Sequence, residues 1–254
     1  MGNLNLDKIK DKKIAKRLEG IFGSSADIEG DFLSEEIPET LDYTSLYQPT
    51  TRSVEPSGLH AGMQLGDIYS KATGVIGKKI SVAVLAMWNT RSYYMRDRNE
   101  QLCSSPNGST PIHTKFATKC INCRYAKFRR GKPSECTKFI NFLVMPENFD
   151  RKPFVIQFSR TGYRIGLDIA KQIKDFGGKV YSKVFVLESE RAKDAAYYKY
   201  KVIGVRDSDA GVKPGFEAIL DYYRPIVESS LTRHEIKEEE DDVVEEVQAL
   251  ENVE

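Results

Sequence analysis

Hydrophobic and polar positions alternate in several short stretches of the chain, and this pattern predicts a body made mainly of β-strands. The predicted strands span residues 78–89, 90–98, 139–145, 153–160, 179–190 and 197–205. One helix is predicted over about 162–176, where Ile165, Ile169 and Ile173 share a face, and another over 212–228. Strands, one helix and two further strands follow the order of an OB-fold. The expected fold class is therefore mainly β (α+β), an OB-fold-like five-stranded barrel with one helix between the later strands.

The two ends of the chain have different patterns from this body. Residues 1–61 predict a basic amphipathic helix followed by an extended, acidic, turn-rich linker. The helix is either a flexible arm that binds a partner or a solvated helix docked on the body. The body itself spans 62–228 and carries an inserted loop at 103–136, and 229–254 form an acidic tail.

Charge separates the tail from everything before it. The chain of 254 residues has a net charge of +1, yet residues 235–254 hold ten acidic residues and one Lys, a charge of −9. The preceding 234 residues therefore carry +10. A segment so acidic and free of aromatic residues predicts disorder. It is either a solubilising tail or a mimic of nucleic acid that competes for a cationic groove.

Long apolar runs, such as those of membrane spans or secretory signals, do not occur in this sequence. The expected location is the cytoplasm, or the host cytoplasm for a viral protein, with no membrane partner. In a reducing compartment cysteines favour metal over disulfides.

All four cysteines, Cys103, Cys120, Cys123 and Cys136, fall within 34 residues of a polar loop, with 16, 2 and 12 residues between them. A Cys-x-x-Cys turn delivers two ligands to a tetrahedral zinc ion, and four thiolates close its shell. We therefore expect structural rather than catalytic Zn²⁺. The alternatives are four unrelated thiols, a redox pair at Cys120 and Cys123, or His113 in place of one cysteine.

Basic and aromatic residues are mixed in four parts of the body, as single-stranded nucleic acid requires for phosphates and for stacked bases. The candidate nucleic-acid contacts are Arg91, Tyr94, Arg96, Arg98, Lys115, Arg124, Tyr125, Lys127, Phe128, Arg129, Arg130, Arg160, Tyr163, Arg164, Tyr198, Lys199, Tyr200 and Lys201. In 197–201 the tyrosines and lysines alternate, which equally fits a half-buried strand with solvated lysines.

This combination resembles the phage single-stranded-DNA-binding, helix-destabilising proteins. The resemblance rests on the cysteine loop, on the basic and aromatic clusters within 62–206, and on the acidic tail. It implies a zinc-containing OB-fold and sequence-independent binding of single-stranded DNA in replication, recombination and repair. It also implies a tail that recruits a polymerase, helicase or primase, and cooperative contacts between copies. The sequence departs from the family in having no His in its cysteine quartet and no aromatic residue at the tail end.

Two other classes of function remain open from the sequence. A zinc-containing transcription regulator or RNA-polymerase-binding protein would use the same loop and tail on duplex DNA or on proteins. An enzyme is not expected, because no phosphate-binding Gly-rich loop and no His-Glu-x-x-His motif occurs. The pair of aspartates in 206–211 precedes a glycine and predicts a turn.

Overall fold

The computed structural model describes residues 9–22, 41–48, 62–70, 74–95, 100–127, 134–176, 179–193 and 196–232. These residues form one nine-stranded sheet and three α-helices. The strands are β1 Tyr43–Leu46, β2 Ile68–Ser70, β3 Gly74–Gly77, β4 Lys79–Met95, β5 Glu100–Ser105, β6 Thr137–Pro146, β7 Phe154–Ser159, β8 Lys183–Arg191 and β9 Tyr198–Asp207. The helices are α1 Lys12–Phe22, α2 Tyr163–Asp175 and α3 Lys213–Thr232.

The sheet is mixed and curls into a half-barrel around the long strand β4. Its order is β3-β2-β1-β7-β6-β4-β8-β9, and β1 runs parallel to β7 while the other pairs are antiparallel. One edge of β4 pairs with β6, and the other pairs first with β8 and then with β5. Gln48 follows β1. Its side-chain amide donates to the Tyr198 carbonyl in β9 and accepts from the Tyr198 N–H, both at 2.7 Å. The curl therefore brings these two parts of the sheet together.

The concave face of the sheet holds the first of two apolar cores. Alternate residues point to the same face of a strand, and those of β4, β6 and β7 on this face include Val82, Phe142 and Ile156, all buried. The helix α2 closes this core with Ile169 and Ile173. Helix α2 begins at Tyr163, four residues after the last residue of β7.

The opposite face of the sheet is covered by α1 and α3. Leu18 of α1 is fully buried against a cluster that contains Leu143 of β6 and Phe216 of α3. Asp11 caps α1, because its Oδ1 accepts the backbone N–H of Lys13 at 2.8 Å. The basic amphipathic helix is therefore part of the packed domain in this structure, as the docked alternative had it.

The mainly β class with a few helices is confirmed. Strand β1 lies within the region predicted as linker, and the two predicted strands 78–89 and 90–98 correspond, over the described residues, to the single strand Lys79–Met95. Three short elements, β2, β3 and β5, were also absent from the prediction. Within the described ranges, none of the helices is long and apolar enough to cross a membrane.

Candidate nucleic-acid interface

Strand register gathers several predicted contacts at one end of the sheet. Arg91 of β4 lies opposite Lys138 of β6, and Phe139 lies opposite Ser159 at the end of β7. Arg160 follows Ser159 at once, and α2 then begins at Tyr163. We call this end of the sheet the rim, defined by Arg91, Lys138, Arg160, Tyr163 and Arg164 together with the cysteine loop, residues 103–136.

The four cysteines meet at the rim. All four are free thiols, and they line one small cavity beneath the loop together with Arg91 and Tyr93. The backbone of the loop is pinned nearby: the N–H of Cys123 donates to the Cys120 carbonyl at 3.2 Å, and the N–H of Cys136 donates to the Tyr125 carbonyl at 2.9 Å. The fold thus brings together residues up to 33 positions apart in the sequence.

Two thiols of the cavity, those of Cys103 and Cys136, have raised pKa values. Burial raises the pKa of Cys136 to about 11, while the nearby Arg91 guanidinium acts in the opposite direction. Burial also raises the pKa of Cys103, although the backbone N–H groups of His113 and Ile112 lower it. Among the described residues, no three His, Cys, Asp or Glu side chains stand in an arrangement that would hold a metal ion. The cavity thus contains four residues of the type that binds zinc, but their side chains do not converge on one point.

Tyr125 packs on the sheet. Its ring stacks on Tyr93 of β4 at 4.4 Å between centroids, and Phe116 meets both rings edge-on at 5.6 and 6.0 Å. Arg124 lies over the Tyr125 ring with its Cζ 4.6 Å from the centroid and donates to the Tyr125 hydroxyl. This aromatic cluster anchors the loop and leaves the Arg124 guanidinium exposed above it.

Several cations of the rim have no carboxylate partner among the described residues. Arg160, Arg164 and Lys127 are exposed, and within the described part of the chain none of the three makes an ion pair. Lys138 Nζ lies 5.1 Å from the centre of the Tyr163 ring. Arg160 has a positive φ of 47°, an unusual conformation for a residue with a side chain. The rim is thus a concentration of positive charge that the described residues do not neutralise.

Arg91 has a different position from the other cations. Its Nε donates to the Gly108 carbonyl at 3.0 Å, and its side chain lines the thiol cavity. Two like charges directly opposite on neighbouring strands repel each other. Arg91 therefore turns to the loop while Lys138 turns to the Tyr163 ring, and Arg91 stabilises the loop from below.

The cluster at 198–201 lies on β9, where the Tyr200 ring is 5.4 Å from the ring of Phe158, two residues before Arg160 of the rim. Lys201 is opposite Glu188, which is opposite Lys79 at the start of β4. Lys199 and Lys201 both pair with Glu190, at 3.3 and 3.1 Å. Both lysines of this cluster therefore have a carboxylate partner, whereas Lys127, Arg160 and Arg164 make no ion pair with the described residues.

The tyrosines of this cluster pack inward. Tyr200 is only 7% exposed and belongs to the concave core, so its assignment as a nucleic-acid contact is corrected here. Burial raises its pKa. Tyr198 is half-buried, and Gly66 packs directly on its ring. The strand therefore follows the alternative pattern, with tyrosines toward the core and lysines toward solvent.

The remaining predicted contacts divide into two groups. Tyr94 is 48% exposed at the end of β4, and its hydroxyl donates to Gln101 at 2.8 Å. Lys115 is exposed, with its Nζ 5.3 Å from the Phe116 ring centre. The others lie outside the described residues: Arg96, Arg98, Phe128, Arg129 and Arg130.

Two rim features escaped the sequence analysis. Lys138 joins the rim only because β6 pairs with β4, which the sequence does not reveal. Phe116 stands in a polar stretch, where its proximity to the cysteines was the available signal. No family model, curated protein or solved structure matches this chain.

Proposed function

We propose that this protein binds single-stranded DNA at the rim, without catalysis and largely without sequence preference, in viral DNA replication, recombination and repair. The observation that carries the proposal is the positive charge of Lys127, Arg160 and Arg164, which make no ion pair with the described residues and lie beside partly exposed aromatic rings. Cationic grooves with aromatic side chains bind single strands through phosphates and stacked bases.

The sheet topology supports an OB-fold assignment. Counting β4, β6, β7, β8 and β9 as five strands, the sheet order is 3-2-1-4-5, and α2 lies between the third and the fourth. In an OB-fold, the loop between the first two strands belongs to the ligand-binding surface. The cysteine loop occupies that connection here. In a minimal barrel the third strand would pair with the fifth. Here the additional strand β1 pairs with β7, the third of the five counted strands.

The helices limit where a strand of DNA can lie. Helices α1 and α3 cover the convex face of β6 and β7, burying Leu143, Met145 and Val155. Where the two helices cover it, this face therefore offers little surface to a ligand. The rim stays uncovered by these helices, so the proposed path runs across the cysteine loop toward the start of α2. Among the described residues, Tyr94 offers an exposed ring and Tyr163 a partly exposed ring for stacking along this path.

We further propose that Cys103, Cys120, Cys123 and Cys136 hold a structural Zn²⁺. The donor set fits this ion, because four free thiols share one cavity and zinc accepts four thiolates. When bound, the ion would brace a loop that has few apolar residues, and the closed shell leaves no position for a reacting water. The chain's own contribution is to orient Arg124 and Lys127 on this loop.

The acidic tail completes the proposal. With ten carboxylates in residues 235–254, the tail is opposite in charge to the rim. In the proposed function it competes with DNA for the rim and, once displaced, recruits replication proteins such as a polymerase, helicase or primase. Removing residues 235–254 should then tighten binding of single strands at low salt. Unchanged or weaker binding would contradict competition by the tail.

The rim is tested by a salt-titrated binding assay on a fluorescent oligonucleotide. We expect the variant Lys127→Gln/Arg160→Gln/Arg164→Gln to bind more weakly and to lower the salt slope by about 2, at roughly 0.7 per lost phosphate contact. The matched control is Lys10→Gln/Lys13→Gln/Lys16→Gln, which removes the same charge from exposed positions of the α1 region.

Two results would contradict the proposal. Equal effects of the rim and control variants would mean that total charge, rather than the rim, drives binding. Tighter binding to duplex than to single strands at matched salt would favour a duplex-binding regulator instead.

A further inference from the structure

The tip of the Cys-x-x-Cys turn carries an apolar side chain and an amide, Ile121 and Asn122, which point away from the thiol cavity. Cys120 is buried while both tip residues are exposed. We propose that this tip contacts an unpaired base directly, with Ile121 against the base face and Asn122 toward the base edge. The inference rests on the proposed function and adds to it a base-contacting element within the cysteine loop.

The backbone under the tip is held by three hydrogen bonds. The N–H of Cys120 donates to the Ser109 carbonyl at 2.8 Å, that of Asn122 to Lys119 at 3.0 Å, and that of Cys123 to Cys120 at 3.2 Å. The turn is therefore fixed to the opposite side of the loop. Because this backbone is already held in place, little conformational entropy is lost when a ligand binds the tip. More of the contact energy then contributes to affinity.

Ile121 is the most exposed of the large hydrophobic side chains in the described ranges. It is 74% exposed, whereas the next, Tyr94, is 48% exposed. Single apolar side chains at a surface are common and need no explanation alone. The setting of Ile121 is what distinguishes it: a fixed turn, on a loop that lies at the proposed DNA-binding rim.

The charges around the tip indicate an anionic ligand. Lys119, Arg124 and Lys127 are exposed on either side of it, and residues 103–127 contain no Asp or Glu. An apolar tip inside a ring of cations suits a ligand that has both an apolar face and a negative backbone. An unpaired nucleotide has this combination, because its base is flat and weakly polar while its phosphate is charged.

The chemistry of the two side chains matches the two surfaces of a base. Aliphatic side chains, Ile among them, insert between base steps in several nucleic-acid complexes. Asn amides donate and accept hydrogen bonds with base edges. Asn122 makes no side-chain hydrogen bond within the described residues, so both its donor and its acceptor are available.

The test is Ile121→Ala, compared with Ile203→Ala as the matched control. Ile203 is 40% exposed on β9, outside the rim and the cysteine loop. We expect Ile121→Ala to weaken binding of a short single-stranded oligonucleotide by about fivefold, at the low end of the loss of a base-stacking side chain. The salt slope should stay unchanged, because no charge is removed. Ile203→Ala should bind as the wild type does.

An abasic oligonucleotide identifies the part of the ligand that the tip contacts. If Ile121 touches a base, wild type and Ile121→Ala should bind the abasic strand equally well, because the partner surface is gone. A fivefold difference that persists on the abasic strand would overturn the inference. Asn122→Ala should change the ranking of homopolymer oligonucleotides, and an unchanged ranking would overturn the role of the amide.

Failure of this inference is distinguishable from failure of the proposed function. If wild-type protein does not bind single strands, both the proposed function and this inference fail. If wild type binds and the rim variant weakens binding, but Ile121→Ala equals Ile203→Ala, only the inference fails. Matching melting temperatures and zinc contents of the two Ile variants show that the turn is intact.

Discussion

The position of α2 depends on a glycine that the helix would otherwise avoid. A Cβ atom placed on Gly166 would lie 2.9 Å from Cβ and 3.2 Å from Cγ of Phe158, and 3.3 Å from Cδ1 of Ile140. The Phe158 Cβ cannot move without its strand, because it is attached to the β7 backbone and the residue is buried. Gly166→Ala therefore forces α2 away from the sheet.

Two opposing effects set the magnitude for Gly166→Ala. Replacing Gly by Ala inside a helix stabilises it by about 1 kcal/mol. Overpacking a core contact destabilises by about 1–3 kcal/mol. The net expectation is a loss of up to about 2 kcal/mol in the free energy of unfolding. Gly20→Ala in α1 is the matched control, because a Cβ there meets nothing within 4 Å, so only the stabilising effect should remain.

The free energy of unfolding is measured by urea denaturation for both variants, with the oligonucleotide affinity measured in parallel. We expect Gly20→Ala to raise stability and leave affinity unchanged, and Gly166→Ala to lower both. Affinity should fall because Tyr163 and Arg164 move with α2. Equal stabilisation by the two substitutions would refute the close approach of α2 to β7. Lower stability with unchanged affinity would refute the link between α2 and the rim.

Four further predictions follow from the packing and the cavity. Leu18→Ala should lower the free energy of unfolding by about 2–5 kcal/mol, whereas a free N-terminal arm would tolerate it. Gly66→Ala should destabilise measurably in urea, because Gly66 has a φ of 89° and its Cβ would lie 2.5 Å from the Tyr198 ring. Tyr200→Phe should change stability at neutral pH by no more than about 1 kcal/mol, since among the described residues the buried hydroxyl interacts at most with the Thr44 side chain. Because burial raises the Tyr200 pKa, wild type should lose stability as pH rises above the unfolded value of 10.0, and Tyr200→Phe should lose less in denaturation series across that range. Chelation should remove one equivalent of zinc, measured by elemental analysis, and weaken binding of single strands; zinc-free protein of full affinity would contradict the bracing role.

The helices were predictable because each carries its signals locally. Ile165, Ile169 and Ile173 mark one face of α2, and the structure places Ile169 and Ile173 in the core as this spacing requires. Asp11 precedes α1 as a capping residue, and α1 was expected from its amphipathic pattern. The docking site of α1 was not predictable, because it depends on Leu143 and Phe216, which are distant in the sequence.

The strands show where local pattern fails. Strand β1 has four residues and depends on parallel pairing with Val155 and Ile156 more than 100 positions away, so its own sequence carries little signal. Strand β4 was divided at Asn89 because a polar stretch follows Trp88. The strand continues because its second half leaves the packed body for the rim, where polar side chains stay solvated. The alternation of tyrosines and lysines in β9 indicated a strand with two different faces. Only the fold decides which of these faces is buried.

The structure separates what stabilises the domain from what is proposed to bind DNA. Both apolar cores lie between the sheet and its helices, and neither contains a cysteine. The rim instead holds its loop through the stacked pair of Tyr93 and Tyr125, through Arg91, and through the shared thiol cavity. Substitutions at the loop tip should therefore change binding with little effect on global unfolding, whereas substitutions such as Leu18→Ala should do the reverse. This separation also explains why Arg124 and Lys127 can lie on the cysteine loop without an ion pair to the described residues: their mutual repulsion costs stability only locally, because the cores do not depend on this loop, and an anionic ligand removes it.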